Sequence, residues 1–177
     1  MPRNRSTVLK PPATQRSPSL PLVPRQIAIS LAERQALWRP VVRFARPRFS
    51  TRLATAPGWE AWLLTWLPGQ STALHDHGGS DGAFLVLAGE LDESVPIRRV
   101  PRVGAPARLG LSTHRYRTGE VRTFGADHLH DVANRTGCGR AVSLHVYAPR
   151  LTSMTRYLVD SDGEFAVLSR EREGVDW

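Results

Sequence analysis

Several things are scarce in this chain, and each scarcity excludes something. Cys138 is the only cysteine in 177 residues, so there is no internal disulfide framework, and a reducing compartment fits. No apolar run approaches the roughly 20 residues that a membrane-spanning helix needs. The basic N-terminus has no continuous apolar segment of the secretory type. The expectation is a cytoplasmic protein with no membrane partner. Lysine is nearly missing too: Lys10 stands against 23 arginines, a bias that fits genomic base composition as well as selected chemistry.

The net charge of +8 first suggests nucleic acid, but its distribution argues otherwise. Residues 1–48 hold ten of the basic side chains and one acid, Glu33, while residues 49–177 hold fourteen arginines and fifteen acids. The folded part is close to neutral, and the excess sits at the front. Residues 1–24, with six prolines and few large apolar side chains, cannot bury enough surface to offset their ordering entropy and read as a disordered basic leader. The remainder, 25–177, reads as a single domain. Within it, 26–38 (QIAISLAERQALW) fits a short helix ended by Pro40, with an extended Ile27/Ile29 pair as an alternative start.

From Val41 the texture changes to short runs of Val, Leu, Phe, Trp and Thr broken by Gly and Pro. Strands are expected at 49–55, 60–66, 72–77, 83–88, 91–98, 107–111, 113–117, 121–124, 128–134 and 140–147. YLVD and EFAVLS are candidates for two more around the turn at 161–163. Many short strands at close spacing indicate an all-β barrel or sandwich. Trp59, Trp62 and Trp66 read as barrel packing.

The segment 69–89, GQSTALHDHGGSDGAFLVLAG, carries His75 and His77. On a strand these share one face, with Asp76 reversed. A lone His-x-His pair also suits surface or hydrogen-bonded core histidines, so its surroundings decide. Downstream, 119–134 reads GEVRTFGADHLHDVAN, with His130 on a β segment and Asn134 four residues later. Two histidines on one β segment and one on another, between glycine turns, is a way for a barrel to converge three metal ligands.

These segments resemble the two motifs of the cupin superfamily, which implies a small β-barrel of jelly-roll type preceded by a short helical segment. Gly69, His75, His77 and Gly89 match the first motif, and Gly119, His130 and Asn134 the second. Two departures matter. Gly125 and Asp127 stand where the second motif has Pro-x-Gly, and Gly82 stands where the first has an acid. Asp81 is one residue off, which on a strand turns it to the other face. Three neutral imidazoles with no acidic neighbour would leave a divalent cation its full charge. That favours a substrate binding as an anion, such as a thiolate.

That pattern resembles the thiol dioxygenases, specifically the cysteine dioxygenase family, over roughly residues 40–150. WLPGQSTALHDHGGSDGAF (66–84), HLHDVAN (128–134) and AVSLHVYAP (141–149) carry the likeness. It implies His75, His77 and His130 as ligands of iron, Fe(2+), and Ser143, His145 and Tyr147 as a hydrogen-bonded triad beside it. It also implies oxidation of L-cysteine by O2 to cysteine sulfinic acid; the chain is expected to be a monomer. The triad is sensible as a row at i, i+2 and i+4 on one strand face, and such a row suits a polar cavity better than a dry core. The family's carboxylate-binding arginine corresponds to Arg52, with Ser50 where an aromatic hydroxyl often stands. Mammalian members have, at the position of Gly82, a cysteine that crosslinks to the tyrosine, so this chain is similar to the bacterial branch. Arg156 is a further candidate at the cavity rim, because relatives specific for 3-mercaptopropionate use an arginine in this region.

His128 shares a face with His130, but the resemblance selects His130. His114 reads as a surface residue, and Cys138 has no assigned role. Other small thiol carboxylates, 3-mercaptopropionate first, are alternative substrates; Arg52 favours cysteine, since mercaptopropionate-specific relatives tend to have glutamine there. A cupin isomerase would need a carboxylate where Gly82 stands. A non-catalytic metal-binding cupin tethered to nucleic acid by residues 1–24 is a separate reading. It requires salt-sensitive DNA or RNA binding that disappears when the leader is deleted. The expected result in filter binding at two salt concentrations is no difference between the full and shortened chains.

Overall fold

The computed structural model describes residues 22–99, 108–159 and 165–172. Three of its strands are almost unbroken apolar runs, because the sheet they form is covered on both faces. β1 (Ser50–Ala56), β2 (Trp59–Trp66), β4 (Asp81–Ala88), β7 (Val121–Phe124) and β9 (Ala141–Ala148) make an antiparallel sheet in the order β1-β2-β9-β4-β7. Alternation sends Trp62, Leu64, Trp66, Phe84, Val86 and Tyr147 inward, where they meet Leu91, Phe124, Val132 and Met154. Ala61, Ala83, Leu85, Leu144 and Val146 point the other way, onto Ala28 and Leu31 of the N-terminal helix.

The opposite wall is two three-stranded antiparallel sheets. One runs β11 (Phe165–Arg172), β10 (Ser153–Val159), β3 (Leu74–His75), and the other β6 (Arg108–Arg117), β5 (Glu90–Arg99), β8 (Asp131–Ala133). Two isolated bridges, Ser71 with Ala133 and His75 with His130, sew β3 to the segment around β8. The wall is therefore continuous across the point where the histidines meet.

The all-β expectation holds, with differences in detail. The helix begins at Leu22 as α1 (Leu22–Glu33), so the last residues of the 1–24 leader are helical; the rest of the leader lies outside the described residues. Pro24 is accommodated because first-turn N–H groups have no intrahelical acceptor anyway. Ile27 and Ile29 are helical, not extended. The helix breaks at Arg34, resumes as α2 (Gln35–Trp38) and passes through a 3-10 turn, Arg39–Val41, containing Pro40. Trp38 donates its indole N–H to the Ala32 carbonyl at 2.9 Å, fastening the two pieces. The two strands expected at 107–111 and 113–117 are one, β6, paired with β5 throughout. The strand expected at 72–77 shrinks to Leu74–His75, because Ala73 adopts φ 62°, a conformation that breaks an extended run. β10 and β11 pair as a hairpin.

Leu144 is fully buried between the central strands and the helix. Its replacement by alanine is expected to cost about 2–5 kcal/mol of stability, measurable as a lower urea midpoint with an unchanged slope.

Candidate metal centre

The bridge between His75 and His130 is reciprocal: His75 N–H donates to the His130 carbonyl at 2.9 Å, and His130 N–H donates back at 3.1 Å. Residues paired in this way across antiparallel strands project their side chains to the same face. His77, two residues on, joins them. Ring centroids are 4.8 Å apart for His75–His130 and 4.9 Å for each of the other two pairs. All three rings are buried, and one nitrogen from each lies within 4.8 Å of the others.

Hydrogen bonds set which nitrogen is free. The Nδ1–H of His75 donates to the Ala73 carbonyl at 2.9 Å, the carbonyl that the left-handed turn at Ala73 presents to it. His130 Nδ1 lies 2.8 Å from Glu93 Oε1, so the carboxylate accepts a hydrogen bond from Nδ1–H, and Nε2 keeps its lone pair. Burial, then the neighbouring rings, push His75 and His77 well below the ordinary histidine range. Both nitrogens of His77 are buried with no hydrogen-bond partner. Orphaned buried nitrogens cost free energy, and a cation shared with His75 and His130 accounts for one of them. The donor set therefore fits a divalent metal held by three imidazoles.

Asp76, between the two ligand candidates, points outward and fixes their backbone. Its Oδ1 accepts from Gly78 N at 3.1 Å and Thr155 N at 3.0 Å, and Oδ2 from the Tyr157 hydroxyl at 2.7 Å. Asn134 is a brace as well: its Nδ2 donates to the carbonyls of Trp66 and Gly139.

On β9, Ser143, His145 and Tyr147 are all buried. The Trp66 indole N–H donates to Ser143 Oγ at 2.9 Å, and Ser143 Oγ lies 2.8 Å from His145 Nε2. Trp66 and His145 together hold Ser143 Oγ in place. Burial, followed by the neighbouring His130, holds His145 neutral. Tyr147 lies 5.3 Å from the His77 ring, and burial raises its hydroxyl above the ordinary range, so it stays protonated.

A cavity opens beside the triangle, lined by Arg48, Trp62, Leu64, Thr72, His75, His145, Tyr147, Met154 and Arg156. Arg52 is not among these residues. It lies on the edge strand β1, half-exposed, 3.7 Å from Glu60 and over the Trp62 ring at 5.7 Å. The cavity arginine is Arg48, which strand periodicity does not single out because it precedes the first strand in an irregular stretch. Its guanidinium stacks on Trp66 at 4.5 Å and has Nη1 buried without a partner. Burial and Arg156 push it down to about 10, still cationic near neutrality. Arg156 does line the cavity, and its guanidinium is held there by Glu171, at 2.8 and 3.2 Å, and by the Thr72 carbonyl at 2.5 Å.

The expectation of no acidic neighbour is overturned by Glu93. This carboxylate is 2% exposed on β5 and receives His130, His128 at 2.9 Å, Arg122 at 2.9 Å and the Tyr116 hydroxyl at 3.3 Å. The clue in the sequence is its spacing from Leu91, two residues earlier on the same inward face. Asp81 and Glu90, the acids nearest the motif, stay away from the triangle: Asp81 starts β4 opposite Ala148, and Glu90 pairs with Arg115 and Arg117. At Gly82 a side chain would overlap the Phe124 ring, which stacks on His77 at 4.7 Å. The space of the motif acid is thus occupied by an aromatic ring. His114 is exposed, and Cys138 contacts Glu90 through Sγ at 3.4 Å.

Two facing walls of antiparallel strands with a three-histidine cluster between them define a cupin. Residues 25–159 match the family model of cysteine dioxygenase type I, and the chain belongs to that family. Family membership supports a thiol dioxygenase-type activity. The chain is similar in fold to a conserved protein with a double-stranded β-helix domain from Klebsiella pneumoniae, at 16% identity, covering 74% of this chain and 93% of that one with a TM-score of 0.50. It is also similar to a protein from Thermus thermophilus, at 26% identity, 63% and 93% coverage and TM-score 0.48. A cupin superfamily protein from Desulfitobacterium hafniense follows at 17% identity, 63% and 87% coverage and TM-score 0.48. Among the described residues no helix is long and apolar enough to cross a membrane.

Substituting cysteine for Gly82 is expected to cost about 1–3 kcal/mol through overpacking against Phe124. In a Phe124→Ala background the same substitution should cost much less. Urea denaturation of the four proteins of this double-mutant cycle measures the coupling.

Proposed function

We propose that the protein is an Fe(II)-dependent thiol dioxygenase whose substrate is a small thiol carrying a carboxylate, L-cysteine first. The observation that supports this most directly is a pair of buried donors without acceptors. Arg48 Nη1 and Trp62 Nε1 are both unpartnered, and both residues line the cavity beside the histidine triangle. Buried donors in this state call for a ligand rich in acceptors, and a carboxylate satisfies a guanidinium with two parallel bonds.

His75, His77 and His130 would hold the iron. Bound Fe(II) would supply the redox chemistry by which O2 adds both its atoms to a thiol, giving a sulfinic acid with no external reductant. The chain's own residues do the rest. Arg48, stiffened by its stack on Trp66, anchors the carboxylate, and the Trp62 N–H contributes a second donor in place of the aromatic hydroxyl that Ser50 lacks. Tyr147 keeps its proton and can donate a hydrogen bond to the substrate. Ser143, held by Trp66, fixes the His145 ring through Nε2, leaving its Nδ1 edge free for the cavity side. Leu64 and Met154 form an apolar wall that limits water.

3-Mercaptopropionate is the second reading, and one observation favours it: among the described residues lining the cavity there is no carboxylate to receive the ammonium group of cysteine. With Arg52 outside, its sequence-based support for cysteine lapses. Anaerobic iron loading, followed by oxygen uptake and product analysis with each thiol, separates the two. No thiol-dependent oxygen uptake with either would leave a metal-binding cupin without this catalysis.

His77→Ala is expected to lose both iron and oxygen uptake; unchanged sulfinate formation would overturn the ligand assignment. Arg48→Ala is expected to lower kcat/KM for carboxylate-bearing thiols about 10- to 100-fold, with a much smaller effect on cysteamine, which lacks the carboxylate. Arg52→Ala should stay within about twofold, as suits an exposed pair.

A further inference from the structure

We infer that Glu93 is a positioning residue for the metal: through its hydrogen bond to His130 it fixes that ring and delivers to the site the negative charge that the sequence motif lacks at Gly82. This rests on the reading of His75, His77 and His130 as the ligands.

The three rings are backed unequally. His75 donates to a neutral carbonyl, that of Ala73, and His77 has no partner, whereas His130 donates to a buried carboxylate. A carboxylate behind a ligand imidazole makes it a stronger donor and locks its tautomer and orientation. Glu93 is held as though for that task. Oε1 takes both His130 and His128, and Oε2 takes Arg122 and the Tyr116 hydroxyl. The Arg122 guanidinium, 2.9 Å from Oε2, sets a permanent positive charge beside it, an arrangement that suits a carboxylate. The same atoms allow a competing arrangement, in which Glu93, His128 and His130 themselves surround a cation. The difference is testable: in one case Glu93 acts through His130, in the other it touches the metal and His128 is essential.

The experiment uses Co(II) as probe on the full chain, with dissociation constants from competition with a chromophoric chelator and the visible bands of the bound ion as a second readout. Glu93→Gln keeps an acceptor for His130 but removes the charge. It is expected to weaken Co(II) binding by roughly tenfold and to shift the visible bands; because the new amide NH2 group faces donors that an oxygen had accepted, the metal-free unfolding midpoint falls as well and is measured alongside. Glu93→Ala should weaken binding further, toward about 100-fold. Wild-type affinity and an unshifted spectrum in Glu93→Gln would overturn the inference. So would loss of Co(II) on His128→Ala with retention on His77→Ala, since Glu93 would then be a direct ligand. Loss of Co(II) on His77→Ala together with an unaffected Glu93→Gln sinks only the role of Glu93. Retention on His77→Ala sinks the three-histidine site itself.

Discussion

The structure depends at its centre on one reciprocal pair of backbone hydrogen bonds, between His75 and His130. β3 is two residues long and β8 three, so neither could hold a geometry by itself. The bridge makes them parts of one wall and, because paired residues share a face, aims two rings at the same point. Asp76 then fixes the other side of β3 to β10 through Thr155 and Tyr157. A His-x-His sequence becomes a site only because both edges of this short strand are tied down. The left-handed residue Ala73 belongs to the same device: it ends the extended run and turns a carbonyl toward the His75 ring.

Much of this is legible in the chain alone. The shared face of His75 and His77, and the inward row Ser143-His145-Tyr147, follow from a period of two. The strand positions follow from apolar runs between Gly and Pro. What is not legible depends on contacts across the fold. Glu93 reaches His130 because β5 pairs with β8, placing Glu93 opposite Val132, and no local pattern announces that pairing. Arg48 sits in an irregular stretch where period-two reasoning has no purchase. Its place in the cavity is set by the stack on Trp66, a residue at the far end of β2. Arg52 has the better strand position, but β1 is an edge strand with a register shift just after it, between Arg52 and Ala54. Its guanidinium lies on the solvent side of Trp62.

The helix boundary differs from expectation for a simpler reason. Pro24 reads as the end of a proline-rich leader, yet a first turn is where a helix tolerates proline. Ile27 and Leu31, spaced i and i+4, both serve the face that covers the central sheet. The alternating Ile27/Ile29 pair suggests a strand only while that sheet is out of view.

The missing side chain at Gly82 and the charge at Glu93 belong to one arrangement. An acid at position 82 would place a full negative charge against the cation and occupy one of its faces. Phe124 excludes this sterically, since its ring fills the volume such a side chain needs, and it stacks on His77 and on His128. Yet three neutral rings in a low-dielectric interior, beside Arg48 and Arg156, would make a cation costly to hold. In the arrangement inferred above, Glu93 would offset that cost from behind His130 without itself contacting the cation, and it is paired with Arg122, outside the cavity lining. Among the described residues that line the cavity beside Arg48 and Trp62, none is acidic. A ligand that brings its own negative groups, a thiolate toward the histidines and a carboxylate toward the arginine, is the one that such a division of charge would select.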